Sequence, residues 1–179
     1  MSEENYTDRM IREKEARQYA IYKGMKGKFG AMRFKLKPAY SLDISKPEGI
    51  IFLEAAPAVG NNNYDWDGQK ITFAISVTDA GQILHFLKAY TAKTYVKEDG
   101  SSLLYLVHDG SSRKKLPTGT ILTDINVSKS PAYDSFFWKF NYKNKEDGKV
   151  IQINIPVSLS ETMIISTLLE KAIPEMLSW

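Results

Sequence analysis

Apolar and polar residues alternate over several short stretches of this chain, which is the period expected of a β-strand with one buried face. The clearest alternation runs over residues 70–77, where a large apolar residue occupies every second position. Residues 29–38 alternate in the same way, and the apolar run 50–56 has the length of a strand covered on both faces. A turn at 45–49 and a loop at 57–63, both containing Pro and Gly, are predicted to separate these strands.

Two other stretches carry apolar residues at helical spacing. The first predicts a helix of roughly three turns, with Thr78 or Asp79 as its cap. Its apolar positions are Ala80, Ile83, Leu84, Leu87 and Tyr90. The second opens with Ser158 and Glu161, whose S-x-x-E spacing predicts a capping box, and Pro174 is expected to kink or end it. Its apolar stripe is interpreted as core and comprises Ile165, Leu168, Leu169, Ala172, Ile173, Met176 and Leu177.

The region between these helices returns to the two-residue period. Its candidate strands are Thr94–Lys97, Leu103–His108, Thr120–Val127, Phe136–Lys143 and Lys149–Pro156. Turn signals of the Asp-Gly type separate several of them. The order of elements is therefore about four strands, a helix, about four strands and a second helix, which is an α+β arrangement.

Length and composition bound the architecture. The chain has 179 residues, 43% of them hydrophobic and 25% charged, so one domain with a sizeable core is expected. Residues 1–20 mix both charge signs and are interpreted as a short exposed helix or a disordered arm, with residues 21–179 as the single domain. Because the chain has no cysteine and its two histidines lie far apart, no disulfide, metal or cofactor is expected.

The same features bear on location. Residues 1–18 have no apolar core and are not acid-poor, unlike a signal or transit peptide, and no apolar run reaches the length of a bilayer span. An intracellular, soluble protein is therefore expected. Its compartment stays open between the cytoplasm or nucleoid of a bacterium or phage-infected cell and an organelle in which the protein is already mature.

Positive charge is concentrated in residues 22–40, although the whole chain carries only +3. This stretch has no acidic residue and contains Lys23, Lys26, Lys28, Arg33, Lys35 and Lys37. In the predicted strand the cations from Arg33 onward share one face, and the residues between them are apolar. Such a strand can pack on a core and still hold a polyanion, or its lysines can simply be solvated.

Flat side chains accompany these cations. Phe29, Tyr64 and Trp66 lie close to the basic strand in sequence or across the predicted hairpin, and Lys70 begins the next strand on its polar side. The strand at 136–143 repeats the theme. Its core face is assigned to Phe136, Trp138, Phe140 and Tyr142, and its ligand face to Phe137, Lys139, Asn141 and Lys143. Binding single strands without sequence preference needs cations for phosphates and rings for bases, although each ring taken alone could be core.

Several motifs together resemble one family. The most specific block lies between Ala55 and Gly81 and contains an AP-x-x-G turn, Tyr-Asp-Trp and an SVT-x-x-G junction from strand to helix. The other motifs are Lys26-Gly27-Lys28, Ile153-Asn154-Ile155-Pro156-Val157, Ile173-Pro174 and the terminal Trp179. Over residues 22–179 the chain resembles the Whirly family of single-stranded-DNA-binding proteins. It differs from that family's pattern at the start of the first strand, where Phe29-Gly30-Ala31-Met32 replaces a plainer run of small residues.

The resemblance implies two antiparallel four-stranded β-sheets with two helices across their crossing, in a ββββα order that occurs twice. It also implies a homotetramer or a larger assembly, with the helices at its centre and single strands lying across the sheets. A role in DNA binding and higher assembly is implied for Lys26 and Lys28. The trypanosome mitochondrial RNA-binding proteins are related, so RNA is an alternative ligand.

The expected function is binding of single-stranded DNA with little sequence specificity, to protect or organise it in replication, repair, recombination or transcription. The alternatives are an RNA-binding or annealing protein of the same fold and a structural or interaction β-domain. Catalysis is not expected, because the chain has no phosphate-binding loop, no nucleophile elbow and no cysteine nucleophile. The expected nucleic-acid contacts are Lys23, Lys26, Lys28, Phe29, Arg33, Lys35, Lys37, Tyr64, Trp66, Lys70, Phe137 and Lys139.

Overall fold

In the part of the chain that the structure describes, two antiparallel β-sheets and two long helices enclose one apolar core. The computed structural model describes residues 18–24, 29–37, 48–60, 62–91, 103–129 and 135–177. The first sheet contains β1 (Gln18–Tyr22), β2 (Gly30–Lys37), β3 (Ile50–Gly60), β4 (Asn63–Tyr64) and β5 (Ile71–Ile75). Its main strands are ordered β1-β2-β3-β5, and the two-residue β4 pairs with the far end of β3.

The second sheet has the order β6-β7-β8-β9. Its strands are β6 (Leu104–Asp109), β7 (Ile121–Lys129), β8 (Ser135–Asn144) and β9 (Val150–Ser158). Each sheet is followed by a helix, α1 (Val77–Thr91) after the first and α2 (Leu159–Met176) after the second. The predicted fold of two antiparallel four-stranded sheets with two helices is therefore confirmed, with β4 as a small addition.

The start of α2 carries the predicted capping box. Ser158 Oγ accepts a hydrogen bond from the Glu161 amide, and the Glu161 carboxylate accepts one from the Ser158 amide at 2.8 Å. Two orphan donors of the first turn are satisfied in this way. The helix ends at Met176, shortly after Pro174, as expected.

The cap of α1 differs from the prediction of Thr78 or Asp79. Ser76 is the capping residue, because its Oγ accepts a hydrogen bond from the Asp79 amide at 3.1 Å. The Asp79 carboxylate in turn accepts from the Ser76 amide at 2.9 Å. The helix thus starts at Val77, one residue before the first predicted cap, and uses the same reciprocal device as α2.

The inner faces of the two sheets share the core. Trp138, Phe136 and Phe140 of β8 are completely buried there, so the core face predicted for this strand is confirmed for these three rings. Phe34 of β2 approaches Trp138 edge-on, with ring centroids 6.3 Å apart, which joins the first sheet to the second. The residues of β2 and β8 at the intervening positions therefore face away from the core.

The two sheets approach each other closely where β2 begins. A β-carbon on Gly30 would overlap the Ala56 carbonyl oxygen and the Cγ2 atom of Ile153 in β9. Only glycine fits this position without displacing backbone. The close approach brings Phe29, the residue before β2, against Phe137 of β8 in the second sheet.

Two boundaries in the first sheet differ from the prediction. The loop predicted at 57–63 is wrong, because β3 continues through Pro57 to Gly60. Proline is tolerated there since the neighbouring Ala58 amide makes the bond to the Phe29 carbonyl, at 3.1 Å. Residues 18–20, which were assigned to the arm, belong to β1. The strand predicted at 94–97 lies outside the described residues.

In the described part of the chain, neither helix combines the length and the apolar character needed to cross a bilayer.

Candidate nucleic-acid interface

The outer face of each sheet, turned away from the shared core, carries most of the predicted site residues that the structure describes. On the first sheet the strand period places Arg33 and Lys35 of β2 on this face. Glu54 of β3 lies directly opposite Arg33 in the pairing of β2 with β3. Lys70 immediately precedes β5, the other neighbour of β3. The antiparallel register therefore brings three cations from two elements around one carboxylate.

Glu54 forms ion pairs with all three cations. Its carboxylate oxygens lie 2.5 Å from Arg33 Nε, 2.7 Å from Lys70 Nζ and 3.4 Å from Lys35 Nζ. Burial raises the pKa of Glu54, but the hydrogen bonds from Lys70 and Arg33 and the nearby charges outweigh burial and hold the pKa below its usual value. The group, here called the Glu54 cluster, leaves two positive charges uncompensated.

An aromatic row adjoins this cluster. The Arg33 guanidinium carbon lies 4.1 Å from the ring centroid of Trp66, a cation–π distance. The Trp66 ring lies 6.4 Å from Tyr64, and Tyr64 lies 5.4 Å from Tyr22. Tyr22, Tyr64 and Trp66 form a continuous set of tilted rings beside the Glu54 cluster. We name these three residues the aromatic row.

The turn at 64–68 fixes the position of Trp66. The Asp65 amide donates to the Pro57 carbonyl at 3.0 Å, which ties the turn to β3. The Asp65 side chain accepts from the Gly68 amide at 2.7 Å and closes the turn. Asp65 is therefore a turn residue.

A second aromatic contact lies where the two sheets meet. The rings of Phe29 and Phe137 are stacked, with centroids 6.3 Å apart and planes 28° apart. Phe137 is half-buried on the outer face of β8, where it pairs with Pro156 of β9. Lys139 follows on the same face and is exposed. This pair connects the start of β2 to the outer face of the second sheet.

Amide side chains cross the outer face of the second sheet beside Lys139. Gln152 donates to Asn141 at 2.9 Å, and Asn141 donates to Asp124 at 2.7 Å. The three residues lie on the adjacent strands β9, β8 and β7. Asn141 thus lies on the polar face that was assigned to ligand contact.

The remaining predicted cations are placed differently. Lys23 Nζ bonds both Glu161 carboxylate oxygens at 2.9 Å, so it lies at the N-terminus of α2 and apart from the Glu54 cluster. Lys37 is exposed at the end of β2. Lys26 and Lys28 lie outside the described residues.

Two residues of this surface were missed by sequence reasoning. Glu54 was read as part of a mostly apolar strand, although a single charge within such a run, facing a basic strand, is a signal for ion pairing. Tyr22 was not assigned to the site, and its side chain is 60% exposed. No group of three or more potential metal ligands is found among the described residues.

Comparisons with known proteins bear on this arrangement. Residues 21–168 match the family model described as Whirly transcription factor. A maize protein named as the chloroplastic single-stranded DNA-binding protein WHY1 is 23% identical over 167 residues, which cover 90% of this chain and 56% of that protein. The chain spans about half the length of the curated relatives that it matches.

Solved structures share the fold. The plant transcriptional regulator PBF-2 superposes with a TM-score of 0.68 at 26% identity, over 90% of this chain and 82% of that one. The MRP1/MRP2 structure from trypanosomes superposes with a TM-score of 0.56 at 10% identity, over 97% of this chain and 94% of that one, which shows the fold alone. Because the family model matches most of its length, the chain belongs to the Whirly family.

Proposed function

We propose that this protein binds single-stranded DNA with little sequence specificity, and so protects or organises it. The observation that carries the proposal is the aromatic row adjoining the Glu54 cluster on one outward face. A single strand offers phosphates at regular intervals and bases that are free to stack. Lys35 and Lys70 can follow the phosphates, while Trp66 and Tyr64 offer surfaces to successive bases.

The chemistry of this surface favours sequence tolerance. Every base has a π-face, so stacking on Trp66 or Tyr64 does not discriminate strongly among bases. Lysine ammonium groups contact phosphates without reading base edges. The contacts from the Phe29–Phe137 pair and Lys139 would extend the same mode of binding to the second sheet.

Membership of the Whirly family and the name of the maize relative support the same ligand class. The binding would serve replication, repair, recombination or transcription. RNA is the competing ligand, because an RNA strand offers the same phosphates and stacking bases as a DNA strand.

Fluorescence anisotropy with labelled oligonucleotides tests the proposal. Oligo-dT should bind in a length-dependent manner, and its affinity should fall as salt rises, because bound phosphates displace counterions. A duplex of the same length should bind much more weakly. An oligo-U strand measured in parallel decides between DNA and RNA. Absence of binding to oligo-dT in dilute buffer would refute the proposal.

Lys26 and Lys28 are proposed contacts on the basis of the family resemblance. Lys26→Ala combined with Lys28→Ala should weaken oligo-dT binding and reduce its salt dependence while leaving the melting temperature unchanged. Lys145→Ala with Lys149→Ala, at the hairpin between β8 and β9, removes the same charge elsewhere and serves as the control. Equal affinities for both double variants would remove Lys26 and Lys28 from the site.

We also propose that the protein forms a homotetramer through α2. Met163, Ile164 and Leu168 are large apolar residues that α2 exposes, by 55%, 44% and 39% respectively. A groove of about 440 Å³ lies beside them, between α2 and the first sheet, lined by Tyr19, Leu36 and Leu169 among others. An apolar helix face next to an apolar groove is a surface that a second copy of the chain could cover.

A further inference from the structure

Glu54 is the most deeply buried acidic residue of the proposed interface. Its side chain is only 8% exposed, whereas those of its partners are 21% for Arg33, 31% for Lys70 and 41% for Lys35. A carboxylate at the centre of a surface for polyanions repels phosphates. Its presence there is explained if it acts on its neighbours and not on the ligand.

We propose that Glu54 is a positioning residue, which holds the Arg33 guanidinium against one face of Trp66 and so presents the other face of the indole to a base. The inference rests on the proposed function and goes beyond it, because it assigns an acidic residue a positive contribution to binding a polyanion. Arg33 is then a support for stacking and not a phosphate ligand. Phosphate contact falls to the more exposed Lys35 and Lys70.

The geometry supports this division of roles. Arg33 Nε donates a hydrogen bond to the Glu54 carboxylate at 2.5 Å, which restrains the guanidinium on the side of Glu54. The Arg33 guanidinium carbon is 4.1 Å from the Trp66 centroid, so the same group covers the ring. Lys70 occupies the other Glu54 oxygen at 2.7 Å, and the carboxylate is therefore held on both sides. An arginine so fixed orients the indole before the ligand arrives, which lowers the entropy cost of stacking.

Glu54→Gln is the decisive variant, because two explanations predict opposite signs. If Glu54 acts only through its charge, removing it should tighten oligo-dT binding. If it positions Arg33, affinity should fall by roughly fivefold to tenfold, the loss expected when part of one stacking contact is removed. Asp67→Asn is the matched control, since Asp67 adjoins Trp66 and is exposed. This control should bind as tightly as the wild type or more tightly.

A double-mutant cycle separates positioning from a general effect on folding. Arg33→Lys keeps the charge but removes the planar group, so Glu54→Gln should cost little more in that background. A merely structural role would give the same loss in both backgrounds. Glu54→Asp keeps the charge but shortens the reach, and it should also weaken binding even if Glu54→Gln fails to fold.

These measurements distinguish a failure of the positioning role from a failure of the proposed function. If the wild type does not bind oligo-dT, the function itself is wrong. If the wild type binds but Glu54→Gln binds equally or more tightly, only the positioning role is overturned. Additive losses from Arg33→Lys and Glu54→Gln would also overturn it.

Discussion

Single residues decide both the junction of the sheets and the character of the outer face. Gly30 allows β2 to approach β9, and Trp66 connects the Glu54 cluster to the aromatic row. The first feature depends on the absence of a side chain at Gly30, and the second depends on the indole ring of Trp66. Each can be tested by one substitution with a matched control.

Gly30→Ala should destabilise the protein. The added methyl meets a backbone carbonyl and a core side chain that cannot move freely, and overpacking of this kind costs about 1–3 kcal/mol. Urea unfolding followed by circular dichroism measures the change. Gly81→Ala in α1 is the control, because nothing lies within 4 Å of the added atom and alanine favours the helix. Equal stability of the two variants would contradict the close approach.

Trp66→Ala should weaken binding to oligo-dT by about 1–3 kcal/mol, the value of one stacked base. Trp66→Phe keeps a ring for the base and for Arg33, so it should recover most of the loss. Anisotropy titrations at one salt concentration compare the three proteins. If the alanine and phenylalanine variants bind oligo-dT with equal affinity, Trp66 does not stack on a base.

The sequence predicted the cations of the Glu54 cluster and two of the three rings of the aromatic row, but not their pairing. Alternation alone placed Arg33 and Lys35 on one face. It could not show that Glu54 lies opposite Arg33, because the register of β2 against β3 depends on long-range packing. Lys23 was grouped with the other cations by proximity in sequence, whereas the fold carries it to α2.

At the level of elements, the N-terminus of α2 connects several parts of the chain. Glu161 caps the helix with Ser158 and also holds Lys23, which follows β1. Burial raises the pKa of Glu161, but the hydrogen bonds from Lys23 and Ser158 and the Lys23 charge outweigh it and hold the pKa below the ordinary value. One carboxylate therefore stabilises both the start of α2 and the position of Lys23 after β1.

Ser158→Ala should cost about 1 kcal/mol of unfolding free energy, because the Glu161 amide loses its side-chain acceptor. Ser158→Thr keeps a hydroxyl at the cap and should retain most of the stability. Both are compared by urea unfolding at neutral pH. A threonine variant as unstable as the alanine variant would argue against capping as the cause.

Glu161 also predicts a dependence of stability on pH. Because its pKa is lower in the folded protein, its contribution is present above the ordinary value of 4.5 and is lost as the pH falls through the folded value. The unfolding free energy should therefore drop more steeply below pH 4.5 in the wild type than in Glu161→Gln. Parallel slopes for the two proteins would contradict the lowered pKa.

At the level of the whole molecule, α2 exposes an apolar face. The stripe predicted on α2 is only partly core. Ile165, Leu169, Ala172 and Met176 are buried, while Leu168 remains 39% exposed. Helical periodicity gives the width of an apolar stripe but cannot show which part covers this chain's own sheet. The proposed assembly uses Leu168 together with Met163 and Ile164, which lie outside the predicted stripe.

Leu168→Glu should dissociate the proposed assembly, because it places a charge in an apolar contact. Size-exclusion chromatography with light scattering should show a tetramer for the wild type and smaller species for the variant, with an unchanged circular dichroism spectrum. Val150→Glu is the control, since Val150 is 65% exposed and lies at the start of β9. A wild type that is already monomeric would refute the tetramer.

The overall order of strands and helices was predictable because long periodic segments specify it locally. Capping by Ser158 was readable for the same reason, since all its partners lie within one turn. The continuation of β3 through Pro57 could not be predicted from the sequence, because it depends on the pairing of Pro57 with Gly30 across the sheet. Local sequence patterns thus predicted the helices and strands, whereas contacts between strands determined where β3 ends.

The contrasting environments of two tryptophans have a practical consequence. Trp138 is fully enclosed between the sheets, while Trp66 is half-exposed beside Arg33. Trp138 emission should shift to the red only on unfolding, whereas Trp66 emission should be quenched when a base covers it. With Trp66→Phe, which keeps Trp138 and Trp179, as a reference, the difference in intrinsic fluorescence isolates Trp66 and reports ligand occupancy in an unlabelled sample.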